Sequence, residues 1–115
     1  MSLDISLTID VDTGGLKPFT IELFEANYTH NCNTMAAEAG IYKHVWRPDE
    51  LGITTAGELI EPLRDGIAAM EADPQRFIAL NPDNGWGSYD TFLPWLREYL
   101  AACVAHPKAK VNTCR

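Results

Sequence analysis

The hydrophobic period changes along this chain, and that change restricts the folds open to it. Near the N-terminus the period is two: Ile5, Leu7, Ile9 and Val11 alternate with Ser6, Thr8 and Asp10. Strict alternation gives a strand with one buried face and one wet face. Thr13-Gly14-Gly15 is a turn signal, Pro18 closes the loop, and Phe19, Ile21 and Leu23 then alternate with Thr20 and Glu22. Two such strands around a short loop predict a β-hairpin. The middle of the chain takes up a spacing of three and four instead. The period of two returns only at the end, where Ala109, Val111 and Thr113 alternate with Lys110, Asn112 and Cys114.

Between these ends the sequence predicts three helices. Thr29, Asn31 or Asn33 can cap the first, which runs through residues 35–39 and stops at Gly40. Residues 41–46 are too short and mixed for assignment, and Arg47-Pro48-Asp49 reads as a turn. Thr55-x-x-Glu58 has the spacing of a capping box. Leu59, Leu63, Ile67 and Met70 follow at helical spacing, with Pro62 predicting a kink or two short helices. Asp73-Pro74 ends that unit, and residues 75–80 read as a short helical turn. The last helix carries Phe92, Trp95, Leu96, Tyr99, Leu100 and Cys103 on one side. With Thr91 as its N-cap, Pro94 falls in the first turn, where a missing N–H costs nothing.

The predicted fold is therefore α+β, in the order β-β-α-α-α-β. A small antiparallel sheet, the N-terminal hairpin plus the C-terminal strand, is covered on one face by about three helices. A lone last strand has no other partner for its backbone groups than the hairpin. The 115 residues form a single domain, 1–115, large enough to bury a core without staples.

Charge and cysteine usage exclude several functions. Nine Lys and Arg stand against sixteen Asp and Glu, a formal charge of −7, which opposes direct binding to nucleic acid or an anionic membrane. Cys32, Cys103 and Cys114 are odd in number and lack CxxC spacing, so neither a disulfide framework nor a structural zinc site is expected. His30, Cys32 and His44 match no established metal spacing, and no cofactor is expected. Met1-Ser2-Leu3-Asp4-Ile5 has neither a basic region nor an apolar run, so a cytoplasmic protein with reduced thiols is expected.

Two polar segments carry the functional expectation. Asn27-Tyr28-Thr29-His30-Asn31-Cys32-Asn33 packs amides, hydroxyls, an imidazole and a thiol where strand gives way to helix. The plain reading of that segment is capping and turn formation. The functional reading is directed hydrogen bonding to a ligand, with His30 the candidate proton donor or acceptor. The second segment, residues 81–89, sets Trp86 between Gly85 and Gly87 beside Asn81, Asn84 and Tyr89. Its plain reading is a connecting loop whose Trp86 plugs the core. Its functional reading is a flat indole against a planar ligand such as a nucleobase or sugar, with Asn81 and Asn84 reading the edge.

Asn27-Tyr28-Thr29-His30-Asn31, Met35-Ala36, Glu38-Ala39-Gly40-Ile41-Tyr42, Trp46-Arg47-Pro48 and Asn81-Pro82 with Asn84-Gly85-Trp86-Gly87-Ser88-Tyr89 together resemble a set of small proteins of bacterial and phage genomes. The resemblance covers most of the chain from Asn27 onward and brings no activity, cofactor or catalytic residue with it. It implies that the two polar segments belong together.

The resulting expectation is a binding module, with a polar pocket floored by Tyr28, Trp46 and Trp86 for a small polar molecule or a partner's loop. A small enzyme using His30 as general base, with Asn31 or Asn84 stabilising negative charge, is the alternative. A third reading is an acidic protein of a mobile element that binds a host factor through one contiguous carboxylate patch. A homodimer is conditional on an exposed apolar patch or an unpaired strand edge.

Overall fold

The computed structural model describes residues 2–115. Strands β1 (Ser2–Val11) and β2 (Phe19–Thr29) form the hairpin, and β3 (Lys110–Cys114) lies on the far side of β1. The sheet order is β2-β1-β3, antiparallel throughout. The α+β class, the element order and the pairing of the last strand with the hairpin thus hold. The helical layer is more divided than three helices: α1 (Asn33–Glu38), α2 (Tyr42–Trp46), α3 (Ile60–Ala72), α4 (Pro74–Ile78) and α5 (Tyr89–Ala105). Residues 41–46, too short to assign from sequence, make the single turn α2, and Val45 and Trp46 on it are buried. Tertiary packing holds a helix that could not stand alone.

The period of two in β1 is used for burial on one face. Leu3, Ile5 and Leu7 are fully buried, whereas Asp4 is exposed. Their cross-strand partners are Tyr28, Ala26 and Phe24. Helices α3 and α5 cover this face, and Leu63, Met70, Phe92, Leu96 and Tyr99 complete one core with it. A bulge lies between Leu7 and Thr8, where the partner steps from Phe24 to Glu22. Beyond it, Ile9 faces Ile21 and Val11 faces Phe19 on the same side as the core residues. β3 pairs only as far as Thr8, so the hairpin continues past the body as an arm. The longest dimension of the molecule is accordingly 53 Å against 27 and 23 Å for the others. Phe19 and Leu16 at the end of the arm are exposed.

Two prolines meet different fates. Thr55 and Glu58 form the capping box, but they start a 3-10 turn, Ala56–Leu59, and α3 begins only at Ile60. Pro62 is then the third residue of α3, where its missing N–H has no intrahelical acceptor to lose. This is the two-piece solution to the proline. In α5 the expected start is corrected. The N-cap is Ser88, not Thr91, and Pro94 lies inside the helix. Ser88 Oγ accepts from the Thr91 N–H at 3.3 Å, and the Ser88 N–H donates to Thr91 Oγ1 at 3.2 Å. The earlier start adds the buried Tyr89 to the core face, which outweighs one backbone bond lost on an exposed side.

Tyr99 is fully buried, stacks on Phe24, and has a hydroxyl with no hydrogen-bond partner among the described residues. Burial pushes its phenol well above the ordinary tyrosine range. A buried hydroxyl without a partner costs about 1–3 kcal/mol. Tyr99→Phe is therefore expected to hold or raise stability, by up to about 1 kcal/mol in urea titration. A loss of that size instead would mean that the hydroxyl has a partner.

Candidate functional site

The site forms where β2 ends. The last residues of β2, Asn27, Tyr28 and Thr29, run directly into a 3-10 turn, His30–Cys32, and then into α1. Thr29 keeps an extended backbone and caps the turn, its Oγ1 accepting from the Asn31 N–H. The same Oγ1 accepts from Asn31 Nδ2 at 2.7 Å. The capping reading of this segment is correct as far as Thr29, but it consumes only part of the polar groups.

The loop before α5 folds back onto that segment. Asn84 Oδ1 accepts from the Trp86 N–H at 2.9 Å, a local turn that holds the loop's shape. Asn84 Nδ2 donates to Asn31 Oδ1 at 3.3 Å, across 53 positions of sequence. Tyr28 is the second link. Its hydroxyl lies 2.8 Å from Thr91 Oγ1 and accepts from the Ser88 N–H at 3.2 Å. Burial raises the Tyr28 phenol to about 12, the contact with Thr91 opposing that rise, so it stays a neutral hydroxyl at physiological pH. Gly87 passes so close that a Cβ there would stand 2.7 Å from Thr29 Cγ2 and 3.1 Å from Cys32 Sγ. Only glycine combines that approach with its φ of +92°.

The two segments bound a cleft of about 540 Å³ lined by Ser2, Asn27, Tyr28, Thr29, Asn31 and Trp86. Its hydrogen-bonding groups are already oriented. Asn27 Nδ2 donates to Ser2 Oγ at 3.0 Å and to Asp4 Oδ1 at 2.5 Å, so its two amide hydrogens are engaged. Trp86 is 69% exposed, which corrects the expectation of a core plug. Positive φ at Gly85 and Gly87 turns the loop sharply on both sides of the indole.

Four of the residues singled out from sequence lie elsewhere. Trp46 is 1% exposed and belongs to the core, stacked on Tyr42, so it is no floor for a ligand. Its indole N–H donates to His30 Nδ1 at 2.8 Å. An indole N–H can only donate, so this Nδ1 is an acceptor and a neutral His30 carries its proton on Nε2. His30 thereby joins turn to core, does not line the cleft, and has its basic nitrogen occupied. Asn81 Oδ1 accepts from the Tyr89 N–H at 2.8 Å, satisfying a donor in the first turn of α5. Tyr89 is buried, with its hydroxyl donating to the Met70 carbonyl at 2.9 Å.

Sequence reasoning missed Ser2 and the pivots Gly87 and Thr91. Ser2 comes from the opposite end of the hairpin and reaches the cleft because the register pairs it with Thr29. The glycine pair flanking Trp86 was the available signal for Gly87.

No family model, curated protein or solved structure matches the chain.

The remaining chemistry is dispersed. Cys32 and Cys103 are buried and Cys114 is exposed. Burial raises the Cys32 thiol and takes Cys103 to about 12. Among the described residues no group of three acidic, histidine or cysteine side chains can hold a metal ion, and no helix is long and apolar enough to cross a membrane. Carboxylates gather in two places that share no residue. Asp4, Glu22 and Glu25 border a shallow site on the outer face of the sheet, and Glu58, Glu61 and Asp65 border a groove of about 690 Å³ beside His44. Glu58 in that groove is committed to capping. Its carboxylate accepts from the Thr55 and Thr54 N–H groups, each at 2.9 Å, and these hold it below the usual carboxylate range. Arg47 makes a surface ion pair with Glu50 at 2.8 Å.

Proposed function

We propose that this protein is a binding module whose ligand site is the cleft between the end of β2 and the Trp86 loop. The ligand is a small polar molecule or a polar loop of a partner protein. The observation that carries this reading is the pair of links Asn31–Asn84 and Tyr28–Ser88, which join two distant amide-rich segments around an exposed indole. An indole with most of its surface in water has no packing role that explains its place between two glycines. Held beside oriented amides and hydroxyls, it supplies a flat apolar face with polar groups at its edge, the composition of a recognition site. Amides and hydroxyls recognise; they do not ionise near neutral pH, so among the described residues the lining favours binding over proton transfer.

A side-chain amide and indole N–H spectrum, recorded with a set of neutral polar fragments, tests the site. Binding fragments are expected to shift the Asn27 and Asn31 amide signals and the Trp86 indole signal together. Trp86→Ala is expected to weaken those fragments at least tenfold, about 1.4 kcal/mol. Its stability should stay within about 0.5 kcal/mol of the parent, since the side chain is exposed. Fragments that shift only signals of the groove beside His44, or that bind Trp86→Ala unchanged, would remove the cleft from consideration.

A further inference from the structure

Resting on that reading of the cleft, we infer that its ligand is a neutral, hydroxyl-rich ring: a pyranose saccharide stacked on the Trp86 indole. Three properties of the lining select this class.

The first is charge. Ser2, Asn27, Tyr28, Thr29, Asn31 and Trp86 are all neutral side chains. A phosphate or carboxylate ligand is normally met by Arg or Lys, whose charge offsets the desolvation of the anion. None lines this cleft among the described residues. Asp4, which accepts from Asn27 of the lining, brings a carboxylate that repels an anionic ligand.

The second is the pattern of hydrogen bonds left over. Both amide hydrogens of Asn27 are engaged by Ser2 and Asp4, which leaves Oδ1 as an acceptor. Thr29 Oγ1 already accepts from the backbone and side chain of Asn31, which leaves its O–H to donate. Ser2 Oγ accepts from Asn27 and also keeps its O–H. Asn31 retains one amide hydrogen, because Nδ2 donates once, to Thr29. The cleft thus offers donors and acceptors side by side. A sugar hydroxyl both donates and accepts, so neighbouring hydroxyls on one ring satisfy such a mixture in either order. A nucleobase edge has a fixed sequence of donors and acceptors and needs a matching fixed edge opposite.

The third is the aromatic surface. Trp86 offers one open indole, whereas the Tyr28 ring is buried against Phe92 and Trp95 and its hydroxyl is spent on Ser88 and Thr91. Among the described residues the lining offers one open aromatic platform and no opposing ring. A planar base gains most from a slot with aromatic groups on both sides. A pyranose has one face of C–H groups, which a single electron-rich indole face attracts, and hydroxyls around the rim that reach the amides.

Glucose, galactose and N-acetylglucosamine, adenosine and uridine, and glucose 6-phosphate, each titrated into the full chain, decide the class. The readout is the Trp86 indole N–H signal together with the Asn27 and Asn31 side-chain amides. At least one neutral sugar is expected to shift all three saturably, with its affinity lowered at least tenfold in Trp86→Ala and severalfold in Asn31→Ala. Glucose 6-phosphate is expected to bind no better than glucose. Shifts from adenosine or uridine with none from the sugars would overturn the saccharide class while leaving the cleft as the ligand site. Tighter binding of glucose 6-phosphate would overturn the neutrality argument. Silence from every probe would overturn the saccharide class, and silence in the fragment screen as well would take the cleft reading with it.

Discussion

Gly87→Ala is expected to destabilise the fold by about 2–5 kcal/mol and to disconnect the two halves of the cleft. Two costs add. A non-glycine residue at φ +92° carries about 1–2 kcal/mol of backbone strain. The new methyl would also lie 2.7 Å from Thr29 Cγ2, 3.1 Å from Cys32 Sγ and 3.2 Å from the Tyr28 hydroxyl. Overpacking of this kind costs about 1–3 kcal/mol. Cys32 is fully buried and Thr29 holds the 3-10 turn, so neither can yield without disturbing the turn. Gly85→Ala is the matched control: φ is +76° and no atom lies within 4 Å of the added Cβ. It should lose only the strain, about 1–2 kcal/mol. Urea midpoints of the two variants measure the difference, and equal losses would mean that the close approach at Gly87 is of no consequence.

Trp46→Ala is expected to cost about 3–5 kcal/mol, as large aromatic truncations in a closed core do. The indole is 1% exposed, stacks on Tyr42 with ring centres 5.8 Å apart and meets Phe92 at 5.9 Å. Trp46→Phe separates packing from hydrogen bonding. It retains most of the aromatic surface and removes the donor to His30 Nδ1, a loss of about 1–2 kcal/mol. Neither variant removes a group from the cleft lining. Fragment binding at the Asn31 amide should therefore survive in Trp46→Phe, and its disappearance would return Trp46 to the ligand site.

The contrast between Trp46 and Trp86 shows how far local sequence reaches. Both are tryptophans beside turn-forming residues, and both stood as candidate stacking surfaces. Trp46 sits on a single helical turn whose burial depends on Phe92 of α5, which lies far along the chain and is set in place only by folding. Trp86 sits between two glycines, of which Gly87 is required by side chains far away in sequence, Thr29 and Cys32. Nothing within five residues of either tryptophan distinguishes sealed from open. His30 illustrates the same limit. Its identity as a titratable side chain in a polar segment is plain from sequence, yet its nearest partner is Trp46, sixteen positions on, which turns it from a candidate base into an acceptor.

What the sequence determined alone was whatever depends on near neighbours. The hairpin followed from the period of two, the capping box from Thr55 and Glu58, the helical faces from spacings of three and four, and the last strand from its renewed alternation. These rest on backbone geometry, which repeats every two or 3.6 residues and so is written locally. Tertiary structure decided the rest: where α5 begins, because Tyr89 had a core to enter; that the hairpin outruns the body, because β3 stops at Thr8; and that Ser2, Asn31 and Trp86 share a cleft. Each of those outcomes depends on distances between segments far apart in the chain, and no local pattern encodes such a distance.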